Sequence, residues 1–116
     1  MKQEIAEKWV AALRSGKYTQ TKEMLRSNED RFCCLGVLCD ISGLGEWLQP
    51  IWSSQSRSYT VDGAYKSDFL PEAVMQWADI KTSNGVVNGK SLAQLNDEGR
   101  SFENIASVIE QNWEQL

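Results

Sequence analysis

"RFCCLGVLCD", residues 31–40, is the densest stretch of this chain and decides its fold. Between Phe32 and Ile41 every side chain except that of Asp40 is apolar, and all three cysteines lie among them. Two readings compete, a metal or redox centre and the middle of a hydrophobic core. Structural zinc takes four thiolate or imidazole ligands, typically in CxxC pairs. Here the spacing is C-C-x4-C, and the chain has no histidine. On a helix, Cys33, Cys34 and Cys39 would point about 100–140° apart and could not converge on one ion, and Asp40 is a poorly placed fourth ligand. A reactive thiol needs a cationic neighbour and access. Arg31 is near, but the surroundings are apolar. The run therefore reads as core, with cysteine as a small polarizable hydrophobe, and no metal or other cofactor is expected.

The same run lacks period-two alternation. A helix over 32–42 is expected, because Cys34, Leu35, Leu38 and Ile41 share one side and Glu29 and Asp30 supply an acidic entry. Gly36 would let another element approach closely, and Gly43 and Gly45 end the helix. Asp40 is the odd member, since a buried carboxylate needs partners. It reads as a helix-edge residue reaching solvent or backbone N–H groups, or as one that orients a ligand or a second helix.

Outward from this element, residues 3–15 read as an amphipathic helix on Ile5, Trp9, Ala12 and Leu13, stopped at Gly16. In the polar stretch 17–30, Thr21 is expected to cap a short helical turn carrying Met24 and Leu25. "EWLQPIW", 46–52, is irregular, and "SSQSRS", 53–58, reads as a polar link. The clearest turn signal is "SYTVDGAYKS", 58–67. Asp62-Gly63 suits a type I′ turn that pairs Val61 with Ala64, Thr60 with Tyr65 and Tyr59 with Lys66. Pro71 opens a helix through about Asp79, with Leu70, Val74, Trp77 and Ala78 as its stripe. "SNGVVNGKS", 83–91, reads as a tight loop or short strand that could extend the hairpin. Ser91 with Gln94, and then Ser101, cap two further helices. The last carries Phe102, Ile105, Ala106, Ile109 and Trp113 on one face.

The 116 residues suit one domain, 1–116, large enough to bury a core without a staple. The fold class expected is α+β: four to five helices around the buried central helix 32–42, with a small antiparallel hairpin at 58–67. The core residues expected are Trp9, Phe32, Leu35, Leu38, Ile41, Val74, Trp77, Phe102, Ile105 and Ile109.

Composition excludes several functions. The net charge is −4, with 12 basic against 16 acidic residues and no basic run, which argues against general DNA or RNA binding. The helix-turn-helix likeness of "LNDEGRSF" is weak, because Glu103 at the last helix's start would meet phosphate with negative charge. Asn96 and Asp97 there read as cap residues. No membrane span or signal peptide is expected, and free thiols fit a cytosolic protein. The missing histidine removes Ser–His–Asp, Cys–His and HExxH chemistry. No GxGxxG or GxxxxGK loop occurs. An enzyme would need carboxylates or a metal, with at least two of Asp40, Asp68, Asp97 and Glu103 converging. No catalytic residue is assigned on this basis. The binding candidates are Trp47, Trp52, Arg57, Tyr59, Tyr65 and Lys66, because aromatic faces stack and Arg grips oxyanions.

"WVAALRSGKYTQ" (9–20), "FCCLGVLCD" (32–40), "LPEAVMQWA" (70–78) and "LAQLNDEGRSFENIASVIE" (92–110) are similar to an uncharacterised family of small phage and prophage proteins. The likeness spans nearly the whole chain, and the cysteine-rich string is its most specific part. It carries no catalytic residues to transfer. It implies a viral accessory role in a bacterial host cytosol, where small phage proteins often inhibit host enzymes or defence systems. The function expected is therefore a non-enzymatic accessory protein that binds and inhibits a host protein through an aromatic patch. The alternative is a binder of a small nucleotide-like signalling ligand, using Arg57 with Tyr59 or Tyr65 and placed at a homodimer interface.

Overall fold

The computed structural model describes residues 1–50 and 54–116. In chain order its elements are α1 (Gln3–Arg14), β1 (Thr19–Gln20), β2 (Arg26–Ser27), β3 (Arg31–Phe32), α2 (Cys34–Ser42), β4 (Glu46–Trp47), β5 (Ser56–Arg57), β6 (Tyr59–Val61), β7 (Ala64–Lys66), α3 (Glu72–Ala78), β8 (Val86–Val87), β9 (Lys90–Ser91), α4 (Leu92–Asp97) and α5 (Phe102–Asn112), followed by a 3-10 turn at Trp113–Gln115. The result is one α+β domain.

α2 is the centre of the core. Cys34, Leu35, Val37, Leu38 and Cys39 are fully buried, and α2 packs against α1, α3 and α4 while α5 closes on α1. Each buried Leu or Val side chain here stabilises by about 1.5–3 kcal/mol. α1 contributes Ile5, Trp9 and Leu13 at i, i+4 and i+8, and the indole N–H of Trp9 donates to the Cys34 carbonyl at 2.9 Å. Of the core residues expected from sequence, Ile41 and Trp77 are corrected: both are half-buried and pack on the rim. Ile41 lies in the last turn of α2, and Trp77 in the last turn of the short α3, where cover runs out.

The helix starts later than its composition suggests. Glu29 and Asp30 do not form its first turn; they make the turn between β2 and β3, with Asp30 at φ 62°. The Ser27 hydroxyl accepts from the N–H groups of Glu29 and Arg31 there. Helix entry is instead served by Cys33 as N-cap, its sulfur accepting from Gly36 N–H at 3.4 Å. The Asn96 side-chain oxygen accepts from Cys34 N–H at 3.1 Å.

The short helix expected after Thr21 is also absent. Its backbone bonds are taken by distant partners: Thr21 N–H donates to Phe32 at 2.8 Å, and Leu25 N–H to Ser67 at 2.9 Å. Leu25 is fully buried beneath Gly36. Of the segment 53–58, read as a link, residue 53 lies outside the described residues and Ser56–Arg57 supply β5 to a four-stranded sheet ordered β1-β3-β2-β5.

The 58–67 hairpin has the register expected, with Asp62 and Gly63 both at positive φ as a type I′ turn requires. Its third strand is β4, which pairs Trp47 with Tyr59. Residues 86–91 do not join it; β8 and β9 form a separate hairpin around Asn88-Gly89. Ser91 and Ser101 cap α4 and α5 as expected, accepting from Gln94 and Asn104 N–H. Pro71 is the N-cap of α3 rather than its first helical residue. Among the described residues, no helix is long and apolar enough to cross a membrane.

Candidate functional site

The two larger sheets meet in an aromatic cluster beside α2. β1, β3, β2 and β5 place Gln20, Phe32, Arg26 and Arg57 in one cross-strand row. From the other sheet come Trp47 and Tyr59. The rings form a chain, Tyr18 to Phe32 at 4.9 Å, Phe32 to Trp47 at 5.8 Å and Trp47 to Tyr59 at 4.8 Å between centroids. The Arg26 guanidinium lies 4.8 Å from the Phe32 ring centre and 5.4 Å from that of Trp47, within cation–π range.

Asp40 is what fastens this cluster to the core. One carboxylate oxygen accepts from the Tyr18 hydroxyl at 2.6 Å, the other from the Trp47 indole N–H at 3.0 Å. It orients two rings rather than reaching backbone N–H groups. Burial, and then the hydrogen bond and charge of Asp40, push the Tyr18 phenol above its ordinary range. Beyond Trp47, the Tyr59 hydroxyl accepts from Gly45 N–H at 2.7 Å and lies 3.2 Å from the Ser42 hydroxyl.

The expected binding residues therefore divide. Trp47 and Tyr59 touch, but Tyr59 is buried and is corrected from contact residue to core; strand alternation turns it inward with Val61. Arg57 is held with Arg26 against Asp30. Tyr65 and Lys66 stand exposed on β7. Trp52 lies outside the described residues. Tyr65, 67% exposed, and Leu48, 41% exposed, line a cleft of about 330 Å³ with Gln49, Ser54, Ser56, Ser58 and Ser67. A larger groove of about 350 Å³ runs between α1 and α5, past Ala6, Val10 and Trp113. Its cation, Arg14, is neutralised by Glu103 and Glu110.

The carboxylates proposed for catalysis sit in three places. Asp40 holds the aromatic cluster and Glu103 pairs with Arg14. Asp68 and Asp97 share a small cleft of about 120 Å³ with Glu23 and Cys33. There Asp97 accepts from Glu23 N–H at 2.8 Å and Asp68 from Phe69 N–H at 2.9 Å, so both fix loops. Among the described residues, no three His, Cys, Asp or Glu side chains converge as a metal ion would require.

The cysteines are buried free thiols. Desolvation pushes Cys33 up to about 11, and raises Cys34 and Cys39 as well. A thiol whose folded pKa is raised contributes its stability fully below the unfolded value near 9 and loses it as pH rises through the folded value. Two outcomes are expected. Ellman's reagent at neutral pH should leave the native thiols largely unmodified over minutes yet titrate three in denaturant. Thermal stability should decline as pH climbs from about 9 towards 11. Fast labelling of a folded thiol at neutral pH would contradict the buried reading.

The family described as "Domain of unknown function (DUF8296)" matches residues 1–113. The chain belongs to that family. No curated protein and no solved structure matches it. The DUF8296 match takes in all three sheets and all five α-helices of the described residues, so the aromatic cluster and the Leu48–Tyr65 cleft lie within the family domain.

Sequence reasoning missed Tyr18, Arg26, Asp30 and Asn96. Asn96 had a signal: with Leu92 and Leu95 it falls at i, i+3 and i+4, on the apolar face of α4.

Proposed function

We propose that this protein is a small accessory protein of phage type that acts in a bacterial host cytosol by binding a host protein, with inhibition of a defence enzyme as the consequence. One observation carries the reading: Leu48 and Tyr65 stand exposed in one cleft whose remaining lining, among the described residues, is four serines and a glutamine. Scattered exposed hydrophobics need no explanation. A tyrosine and a leucine set among short hydroxyls are different. Tyrosine gives a large amphipathic contact at low entropic cost, and serines adapt their hydrogen bonds, the chemistry of protein-binding loops. The buried thiols offer a substrate less, and the two candidate carboxylates that do share a cleft, Asp68 and Asp97, stand in only about 120 Å³ and are each engaged by a backbone N–H.

The test is capture from a bacterial host lysate with the wild-type chain and with Tyr65→Ser and Leu48→Ser, followed by titration against the purified partner. Each substitution removes exposed surface and should leave the melting temperature nearly unchanged. Loss of a hot-spot contact of about 2 kcal/mol weakens binding about 30-fold. A partner that binds both variants as tightly as wild type would remove this cleft from the mechanism. A nucleotide co-purifying in native mass spectrometry, with no protein, would favour sequestration of a small ligand instead.

A further inference from the structure

We infer that Arg26 and Arg57 form a binding site for an oxyanion, a phosphoryl or carboxylate head group of a small ligand, in which the ligand displaces Asp30. The two residues are direct cross-strand partners on β2 and β5, and like charges in that position destabilise a sheet. Their side chains are only 19% and 17% exposed, so solvent screens the repulsion incompletely. One carboxylate answers both. Asp30 meets the Nη2 of Arg26 at 3.0 Å and that of Arg57 at 3.4 Å, and both contacts fall on the same oxygen. Asp30 itself is 58% exposed, in a turn at positive φ.

The arginines have donors to spare. Each guanidinium carries five N–H groups in a fixed fork. Among the described residues, the Nε of both is buried without a hydrogen-bond partner, and a buried unpaired donor on a charged group is costly. A second oxyanion geometry, reached through both forks, would use donors that the single Asp30 oxygen does not. The site is also preorganised: Arg26 is stacked against Phe32 and Trp47, and Trp47 is fixed by Asp40. With Asp30 and Asp40 nearby, the charges balance before any ligand binds. That favours a singly charged head group over a polyphosphate. The arginine side of β5 is opposite that of Ser56 and Ser58, so this site is separate from the Leu48–Tyr65 cleft.

The test uses inorganic phosphate and acetate as probes, at ionic strength held constant with sodium chloride. A saturable rise in melting temperature with at least one probe is expected, and which probe acts identifies the head group. Arg57→Gln, checked for a cooperative melt, should abolish the rise. Asp30→Asn removes the competing carboxylate and should tighten probe binding about tenfold, the equivalent of 1.4 kcal/mol. It reads the site independently should Arg57→Gln fail to fold. No rise beyond the chloride control in either wild type or Asp30→Asn overturns the inference, as does an equal rise in Arg57→Gln.

Discussion

Replacing Gly36 with alanine is expected to lower the melting temperature by on the order of 10 °C. Helix propensity alone argues the other way, since alanine in a helix interior gains about 1 kcal/mol over glycine. The decisive term is what lies against the helix. A Cβ at position 36 would collide with the Leu25 carbonyl oxygen and stand 2.7 Å from its carbon. These are backbone atoms, so no side-chain rotation relieves the contact. Leu25 is fully buried, its N–H is tied to Ser67, and its carbonyl accepts from Cys33 N–H at 3.2 Å. Making room means moving the chain before β2 away from α2, which breaks that bond and disturbs the Cys33 cap. Overpacking costs about 1–3 kcal/mol and sometimes more, and a lost hydrogen bond adds about 1 kcal/mol. Set against the propensity gain of about 1 kcal/mol, the net loss is about 1–3 kcal/mol. Circular dichroism melts of wild type and variant decide the matter. An unchanged or higher midpoint would mean that the Leu25 segment yields freely and that the close approach has little energetic weight.

What the sequence disclosed follows from how local each signal is. The β6–β7 hairpin was legible down to its register because Asp62-Gly63 dictates the turn and the turn dictates the pairing. The alternation of Tyr59 with Val61 also carries enough to place Tyr59 inside, so its assignment as a contact residue gave too much weight to residue type. α1, α4 and α5 were legible from their caps and apolar periods. The four-stranded sheet was not. Its strands are two residues long, too short to show a period, and their partners are remote in sequence, as Arg26 with Arg57 illustrates. The candidate site inherits this limit. Trp47 and Arg57 stand out by type, but Tyr18, Arg26 and Asp30 acquire meaning only when pairing brings them to the same ring cluster. The acidic pair Glu29 and Asp30 suited a helix start on charge alone, whereas the backbone of Asp30 adopts a left-handed turn and its carboxylate faces two arginines.

Asn96→Leu is expected to cost about 4 kcal/mol, enough to threaten folding of a domain whose total stability is on the order of 5–15 kcal/mol. Asn96 is fully buried and uses both ends of its amide. The oxygen accepts from Cys34 N–H at 3.1 Å and from the Gln20 side chain at 2.9 Å, and the nitrogen donates to the Thr21 carbonyl at 2.7 Å. One side chain on α4 thus closes the N-terminus of the central helix and fixes the strand beside it. Leucine is close in volume but satisfies none of these groups. Gln20 keeps its second bond, to the Arg100 carbonyl. Among the described residues, Cys34 N–H and the Thr21 carbonyl have no second side-chain partner, and each buried unpaired group costs about 1–3 kcal/mol. Asn96→Asp separates the hydrogen-bond account from a packing account. Its ionised form keeps the acceptor but loses the donor to Thr21 and buries a charge. Its protonated form can both accept and donate. Burial raises the folded pKa of that carboxyl above its unfolded value, so the variant should approach wild-type stability at acidic pH and fall away as pH rises through the folded pKa. Urea unfolding of wild type, Asn96→Leu and Asn96→Asp between about pH 4 and 8 measures this directly. If Asn96→Leu melts like wild type, or the wild-type–Asp gap is flat with pH, the amide is not the clasp between α4, α2 and β1 that its three bonds describe.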